Sequence, residues 1–384
     1  MISYEVEPTK KKKTVPEPPS SFSSLPDELT ENILARVSRW KYASLSLVSK
    51  RFHSLLSSKE IYKTRSQIGA QETCVYVWLK LPDHSCVRWF SLMCKRDSSG
   101  MLVVPIPSSS TYSYPHRSHI EIVGSDIYVI GGYYKKPSSS VRIMDCQSHT
   151  WRDGPNMNVA RESPHTVLLD EKIYVMGGCD IDEYYANWIE VFDVQTQSWA
   201  AFPGPGVDEL CNDLRKNRVF YKVNVFQEKL YLETDDKAYN YEPKNGTWKV
   251  VRKRSNVISD HIQVSCEMGN VIYCCTNSRH FIWSASDIER REWRVIKGLE
   301  ELRDHIRGLN TGEIGLVGCG GQLLAMWDPY PISRIKRRNK IWYAKISLES
   351  RRNGLEVWGN VECVDMLTFP VESYECFGCV AASV

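Results

Sequence analysis

Ile127-Tyr128-Val129-Ile130-Gly131-Gly132 is followed by Ile143-Met144-Asp145 and then by Trp151. The same order returns 46 to 48 residues later as Ile173-Tyr174-Val175-Met176-Gly177-Gly178, Val191-Phe192-Asp193 and Trp199. In both copies a carboxylate stands six residues before the Trp. That step recurs without the glycine pair at Asp83 and Trp89, Glu242 and Trp248, and Asp287 and Trp293. A looser version joins Glu349 to Trp358 across Ser350-Arg351-Arg352-Asn353-Gly354. The six Trp residues lie 45 to 65 residues apart, the length of a four-stranded propeller blade with its loops. One small antiparallel sheet cannot cover both of its faces. Sheets stacked radially cover one another, and Trp supplies a large contact at a fixed place in each. A glycine pair after an apolar strand lets the backbone bend and approach its neighbour closely. The spacing predicts an all-β propeller of six blades.

From Cys74 onward helical periodicity disappears. Short runs rich in β-branched and aromatic residues take over, including Cys74-Val-Tyr-Val-Trp-Leu79, Val87-Arg-Trp-Phe-Ser-Leu92, Lys229-Leu-Tyr-Leu232 and Val271-Ile-Tyr-Cys274. The unit ending at Trp89 has no inner strand before it, and the apolar run at 374–384 has no outer strands after it. Pairing the two completes one blade and removes free sheet edges. Gly320-Gly321 precedes the apolar run Leu323-Leu-Ala-Met-Trp327, so it does not occupy the place of the other two pairs.

Residues 25–56 differ in texture. Leu25, Leu29, Ile33, Leu34 and Val37 recur at steps of three and four, and Leu45, Val48, Phe52 and Leu55 repeat the pattern. Two helices are expected, joined at Ser38-Arg39-Trp40-Lys41. Pro26 suits a first helical turn, where Asp27 and Glu28 favour the helix dipole. A unit of about 40 residues rarely buries enough surface to stand alone. This one holds no Cys and one His, which leaves neither disulfide nor metal to brace it. It either docks on the rest of the chain or presents an apolar surface to another protein.

The division expected is a Lys-, Pro- and Ser-rich disordered tail over 1–20, the helical unit over 21–66, a linker over 67–73 and the propeller over 74–384. The hydrophobic share of 42% and charged share of 25% are those of a globular protein, and a net charge of +3 does not by itself indicate a nucleic-acid binder. Thirteen Cys without regular spacing, and no apolar leader or run approaching a membrane span, point to a reducing compartment, cytoplasmic or nuclear. Lys10-Lys11-Lys12-Lys13 reads as part of a solvated tail or as an import signal.

Leu25-Pro26-Asp27-Glu28-Leu29, Ile33-Leu34-Ala35-Arg36-Val37 and Leu45-Ser46-Leu47-Val48-Ser49-Lys50-Arg51-Phe52 together resemble an F-box. The resemblance implies three helices that pack on the Skp-type adaptor of an SCF ubiquitin ligase, and through it on a cullin. By motif position Leu25, Pro26, Leu29, Ile33 and Leu34 should face the adaptor. Leu45, Val48, Ser49, Lys50, Phe52 and Leu55 should divide between adaptor contact and internal packing. Ser38 stands where many members carry Pro. The glycine pairs with their downstream Trp resemble kelch repeats, strongly at 119–155 and 161–203 and weakly in the other four units. The order of parts is similar to the large plant family of F-box/kelch-repeat proteins. That implies a non-catalytic substrate receptor without cofactor, holding an unknown target protein for ubiquitination and proteasomal degradation. The alternatives are a metal-dependent propeller enzyme and a non-degradative scaffold.

The family's target-binding mouth implies Pro115, His116, Arg117, Tyr133, Tyr134, Arg161, Glu162, Cys179 and Asp180. Met157-x-x-x-Arg161 matches a kelch step, which makes Arg161 the first choice for gripping a carboxylate. Its other reading is a salt bridge inside the blade. Cys376-x-x-Cys379 lacks a second ligand pair and reads as part of a closing strand rather than a zinc site, and Cys274-Cys275 falls in a buried strand. His116, His119 and His165 read as hydrogen-bonded residues of the inner strands or loops. No nucleophile-base constellation or phosphate loop can be assembled. The basic stretch at 332–340 is a solvated loop or a contact for an acidic partner, RNA or an import receptor. Without interleaved aromatics it argues weakly for nucleic acid.

Overall fold

A computed structural model describes residues 22–384 apart from 83–86, 95–99, 108–117, 135, 181–186, 203–205, 218–221, 227, 235–236, 252–261, 286–291, 309–312 and 329–337. The chain forms two compact units, divided between Gln71 and Glu72.

The first unit contains α1 (Asp27–Ala35), α2 (Tyr42–Leu45), α3 (Lys50–Leu56) and α4 (Glu60–Gln67). Pro26 stands just before α1 rather than in its first turn. Its carbonyl accepts the Thr30 N–H at 3.0 Å, and Asp27 and Glu28 fill the first turn. The expectation of one helix through Leu45, Val48, Phe52 and Leu55 is corrected. The chain leaves helical geometry at Ser49, where φ is −159° and ψ 159°. The Ser49 hydroxyl accepts the Phe52 N–H at 3.1 Å and so starts α3 afresh. Leu34, Ala35, Tyr42, Leu56 and Ile61 form a small core.

The second unit is a six-bladed propeller of four-stranded antiparallel sheets. Blade 1 takes β1 (Thr73–Lys80), β2 (Val87–Cys94) and β3 (Met101–Pro105) from the start of the unit. Blade 2 holds β4 (His119–Val123), β5 (Asp126–Ile130), β8 (Val141–Asp145) and β9 (Thr150–Gly154); the hairpin β6 (Tyr133–Tyr134) and β7 (Lys136–Pro137) lies between β5 and β8. Blade 3 is β10 (His165–Leu169), β11 (Lys172–Met176), β12 (Ile189–Asp193) and β13 (Ser198–Ala201). Blade 4 is β14 (Lys222–Phe226), β15 (Lys229–Glu233), β16 (Ala238–Glu242) and β17 (Thr247–Val251). Blade 5 is β18 (Ile262–Met268), β19 (Val271–Thr276), β20 (Phe281–Ala285) and β21 (Arg294–Val295). Blade 6 is β22 (Ile314–Cys319), β23 (Gln322–Trp327), β24 (Lys340–Arg351) and β25 (Glu356–Thr368). The innermost strand of blade 1 is β26 (Cys376–Ser383), which pairs with β1 from Thr73–Ser383 to Lys80–Cys376. The expected closure of the two ends into one blade is therefore present.

The apolar runs that mark each blade are its second strands. In β5, β11 and β23 every residue but the first is buried, and in β1 so is the run Cys74–Val77, because neighbours cover both faces. The carboxylate before each Trp has a local task. Asp145 accepts the N–H groups of Gln147 and Ser148, and Asp193 those of Gln195 and Thr196. Each caps a turn that ends in a left-handed residue, His149 or Gln197. The turn delivers the Trp to an outermost strand in β9, β13, β17 and β25. From there Trp199 donates to the Pro155 carbonyl at 2.8 Å, on the connection leaving blade 2. Trp293 stands just before β21, and Trp89 lies in the third strand of its blade and meets Trp151 edge-on. Asp83 and Asp287 lie outside the described residues.

Gly131 and Gly178 show why the pairs are glycine. Both have positive φ, and a Cβ would sit 2.9 Å from the Arg161 carbonyl oxygen or 2.7 Å from that of Glu162. Gly320 and Gly321 instead form the open hairpin turn between β22 and β23. The expectation that helices end at Cys74 is corrected too. Helices α5 (Val207–Asn217) and α6 (Glu300–Gly308) lie on connections between blades. They bury Leu210, Cys211 and Leu214, and Leu302 and Ile306, at steps of one helical turn.

A chain ending before Cys376 leaves β1 as an open edge. Its propeller is expected to melt roughly 10 °C or more lower and to aggregate, measured by calorimetry and size-exclusion chromatography.

Candidate functional site

Strand directions separate the two ends of the propeller. Short turns link first to second and third to fourth strands at one end. At the other converge the connections 131–140, 155–164 and 177–188, with those carrying α5 and α6. Of the sequence-predicted target residues, Tyr133, Tyr134, Arg161, Glu162, Cys179 and Asp180 lie on these connections. Pro115, His116 and Arg117 lie outside the described residues. Tyr133 and Tyr134 form β6, paired with Pro137 and Lys136, and only their backbone is described.

Arg161 does not face a target. Its side chain is 0% exposed and pairs at 2.7 Å with Glu190, which is also 0% exposed. Its Nη1 donates to the carbonyls of Gly177 at 2.7 Å and Trp188 at 3.0 Å, and Nη2 donates to that of Asn187. Glu190 Oε2 accepts the N–H of Asn158 at 2.8 Å, and Oε1, which also takes Arg161, accepts that of Val159 at 3.2 Å. The guanidinium thus supplies donors to carbonyls where the chain leaves the sheet, adding to the Gly177 N–H that already reaches the Trp188 carbonyl at 3.1 Å, and Glu190 holds the incoming connection. Of the two readings, the salt bridge inside the fold is the one present. What remains on the rim is Asp180, which is exposed, and half-buried Glu162, whose N–H donates to Gly178 at 2.8 Å. Cys179 is half-buried, accepts from Arg161, and has its thiol pushed up by burial.

Two features of this end were not read from the sequence. The first is an ionic lock at the start of β26. Arg338 pairs with buried Asp328 and donates to the Glu375 carbonyl at 3.0 Å, while Lys80 pairs with the Glu375 carboxylate. Glu313, its carboxyl pushed up by burial, accepts the Phe377 N–H at 2.8 Å. The basic stretch at 332–340 therefore contributes a structural cation; its residues before Arg338 are outside the described set. The second is a polar seam between the inner strands of blades 2 and 3. Thr166 donates to Glu121 at 2.8 Å, and a His119 ring nitrogen lies 3.1 Å from the Pro164 carbonyl. Desolvation, helped by nearby His165, lowers His119 to about 4, and burial raises Glu121.

Cys376 and Cys379 lie in β26, both thiols pushed up to about 12 by burial, and Cys274 and Cys275 are buried in β19. Among the described residues no group of three or more His, Cys, Asp or Glu is placed to hold a metal ion. No helix among them is long and apolar enough to cross a membrane.

The helical unit carries the other candidate surface. Leu29 is 54% exposed, Ile33 43%, Leu47 86% and Val48 66%, with Phe22 also open. Pro26, Ser49 and Lys50 are exposed and Leu25 is half-buried. Leu34 departs from the adaptor-facing expectation: at 4% exposed it belongs to the core, because α1 turns that side toward Tyr42 and Ile61. Leu45, Phe52 and Leu55 pack half-buried against the same core. Leu47 was not singled out by motif position; its place in an apolar, non-helical link was the available signal.

A family model described as an F-box domain matches residues 22–64, and one described as FKB95, Kelch-repeats domain matches 89–368. This chain belongs to the F-box/kelch-repeat family. From Arabidopsis thaliana, F-box/kelch-repeat protein At5g39560 is 43% identical, covering 100% of this chain and 98% of its own. F-box/kelch-repeat protein At4g19870 is 39% identical and F-box/kelch-repeat protein At4g19330 is 38% identical, each covering 95% of this chain and 93% of its own. In this F-box/kelch-repeat chain the two family regions fall on the two structural units, one on each side of Gln71.

Arg161→Ala leaves a buried Glu190 uncompensated and is expected to cost about 3–5 kcal/mol, read from urea unfolding. His119 refuses a proton that the unfolded chain accepts. Stability should therefore fall as pH drops from 6.5 through about 4. Glu121 acts in the opposite sense, so the comparison is with His119→Gln, in which the acid-side slope of thermal stability should be shallower.

Proposed function

We propose that this chain is the substrate-recognition subunit of an SCF-type ubiquitin ligase. The observation that carries the reading is the exposure of Leu29, Ile33, Leu47 and Val48 on a helical unit whose own core is five residues. Apolar side chains in that density on so small a unit favour a protein partner. The F-box match supplies its class, a Skp-type adaptor that leads to a cullin. Pro26 and Leu25 extend the surface at the start of α1, and Ser49 and Lys50 border it.

The propeller holds the target at the mouth that carries the long connections. Asp180 and Glu162 are the described rim residues, and Arg117, Tyr133 and Tyr134 complete the proposed contact. Arg161 acts beneath them, holding the connections in place. The contribution to rate is proximity: binding raises the local concentration of target lysines near the charged conjugating enzyme. The chain itself needs no covalent chemistry and no cofactor for this, and it works in the cytoplasm or nucleus.

Full-length protein is expected to bind a purified Skp-type adaptor and to bring down a cullin from extract. The doubly substituted Leu29→Asp, Ile33→Asp chain removes two apolar contacts of about 1.5–3 kcal/mol each. Its affinity should fall by roughly 100-fold or more, measured by calorimetry, with the propeller's thermal transition unchanged. A soluble chain that binds no adaptor refutes the reading.

A further inference from the structure

The helix that presents Leu29 and Ile33 is only nine residues long. A helix of that length has little stability of its own, and its buried face contributes just Thr30, Leu34 and Ala35 to the interior. What fixes its attitude is polar. Arg51, at the start of α3, grips the front end of α1: its Nε pairs with Asp27 at 2.7 Å, and its Nη2 donates to Thr30 Oγ1 at 3.1 Å and to the Leu25 carbonyl. Arg65, from α4, grips the far end. It is 1% exposed, and its Nη1 donates to the carbonyls of Ala35 at 2.9 Å and Val37 at 2.7 Å, and to the Tyr42 hydroxyl at 3.2 Å. Tyr42 in turn donates to the Leu34 carbonyl at 3.3 Å, and the guanidinium carbon lies 5.8 Å from the centre of its ring.

The final carbonyls of a helix lack intrahelical partners and carry its negative end, where a cation is favoured. A fully buried Arg is costly unless its donors are used. Here Nη1 is used on the last turn of the presenting helix and on the link that follows it, while the buried Nε has no hydrogen-bond partner among the described residues. Arg65 also lies one position beyond the stretch matched by the F-box family model, which ends at residue 64.

We propose that Arg65 is a positioning residue for the adaptor-facing surface, with Arg51 as its counterpart at the other end of α1. The two guanidiniums hold Leu29 and Ile33 at a fixed orientation to Val48, so that a partner meets one preformed apolar face. This rests on the adaptor-binding reading above.

The test uses full-length chains and a purified Skp-type adaptor. Arg65→Met keeps the volume and removes the donors, and is expected to weaken binding about tenfold, mainly through faster dissociation. Helical circular dichroism and exchange protection of the Ile61 amide should remain. If Arg65→Met loses that protection, Arg65→Lys, which keeps the charge without the fork, takes its place with the same expectation. A double-substitution cycle separates positioning from general stability: once Leu29 and Ile33 are both Ala, replacing Arg65 should cost little further affinity. Undiminished binding by the folded Arg65 variant overturns the inference, as does a cycle in which the losses simply add. Failure of the unsubstituted chain to bind adaptor refutes instead the functional reading on which it stands.

Discussion

One non-covalent seam keeps the propeller a ring: the pairing of Thr73–Lys80 with Cys376–Ser383. The middle of each second strand is apolar because sheets cover it on both sides, and that cover exists only while every blade has two neighbours. The seam is secured beyond its ladder. Lys80 and Glu375 close one end with Arg338 and Asp328 beside them, while Glu72 and Val384 exchange backbone hydrogen bonds at the other. A ladder alone specifies register only through side-chain alternation. Charged groups at its start add a second constraint on which residues meet.

The same economy appears between blades. The capped turn, the outer-strand Trp and the glycine pair are one device repeated: the first sets where the chain turns back, the second reaches toward the preceding blade, and the third lets strand ends approach. Between blades 2 and 3 the device is complete, and Arg161 with Glu190 locks the resulting connection. In blade 5 the outermost strand is only Arg294–Val295, and Lys297 instead bridges to Trp358 of blade 6. Degenerate repeats are tolerated where a neighbour supplies the missing contact.

The fold was largely legible because its signals are local. The Asp-to-Trp step is a turn and the residues after it, and the apolar runs are single strands. What escaped reading depends on distance in the chain. Arg161 follows Met157 by four residues, yet its partners are residues 177 to 190. Nothing in ten residues of sequence tells an Arg that faces solvent from one that binds carbonyls sixteen residues away. Helices α5 and α6 were missed for another reason: one turn of apolar spacing inside a long connection is a weak signal against a strong background of strands. In the F-box, Leu34 is adjacent to Ile33 and matched the same motif, but 100° of rotation about the helix axis separates core from surface.

The order in which these parts leave the ribosome follows from the seam. The helical unit is complete once residue 71 has been made, and domains fold as units during synthesis, earliest first. The strand that seals the ring, β26, is the last of the described strands to be translated. For most of its synthesis the chain therefore carries a finished helical unit ahead of an unfinished ring of sheets. The helical unit is in a position to fold before the ring can close, which makes the interval before β26 emerges the natural window for chaperone protection.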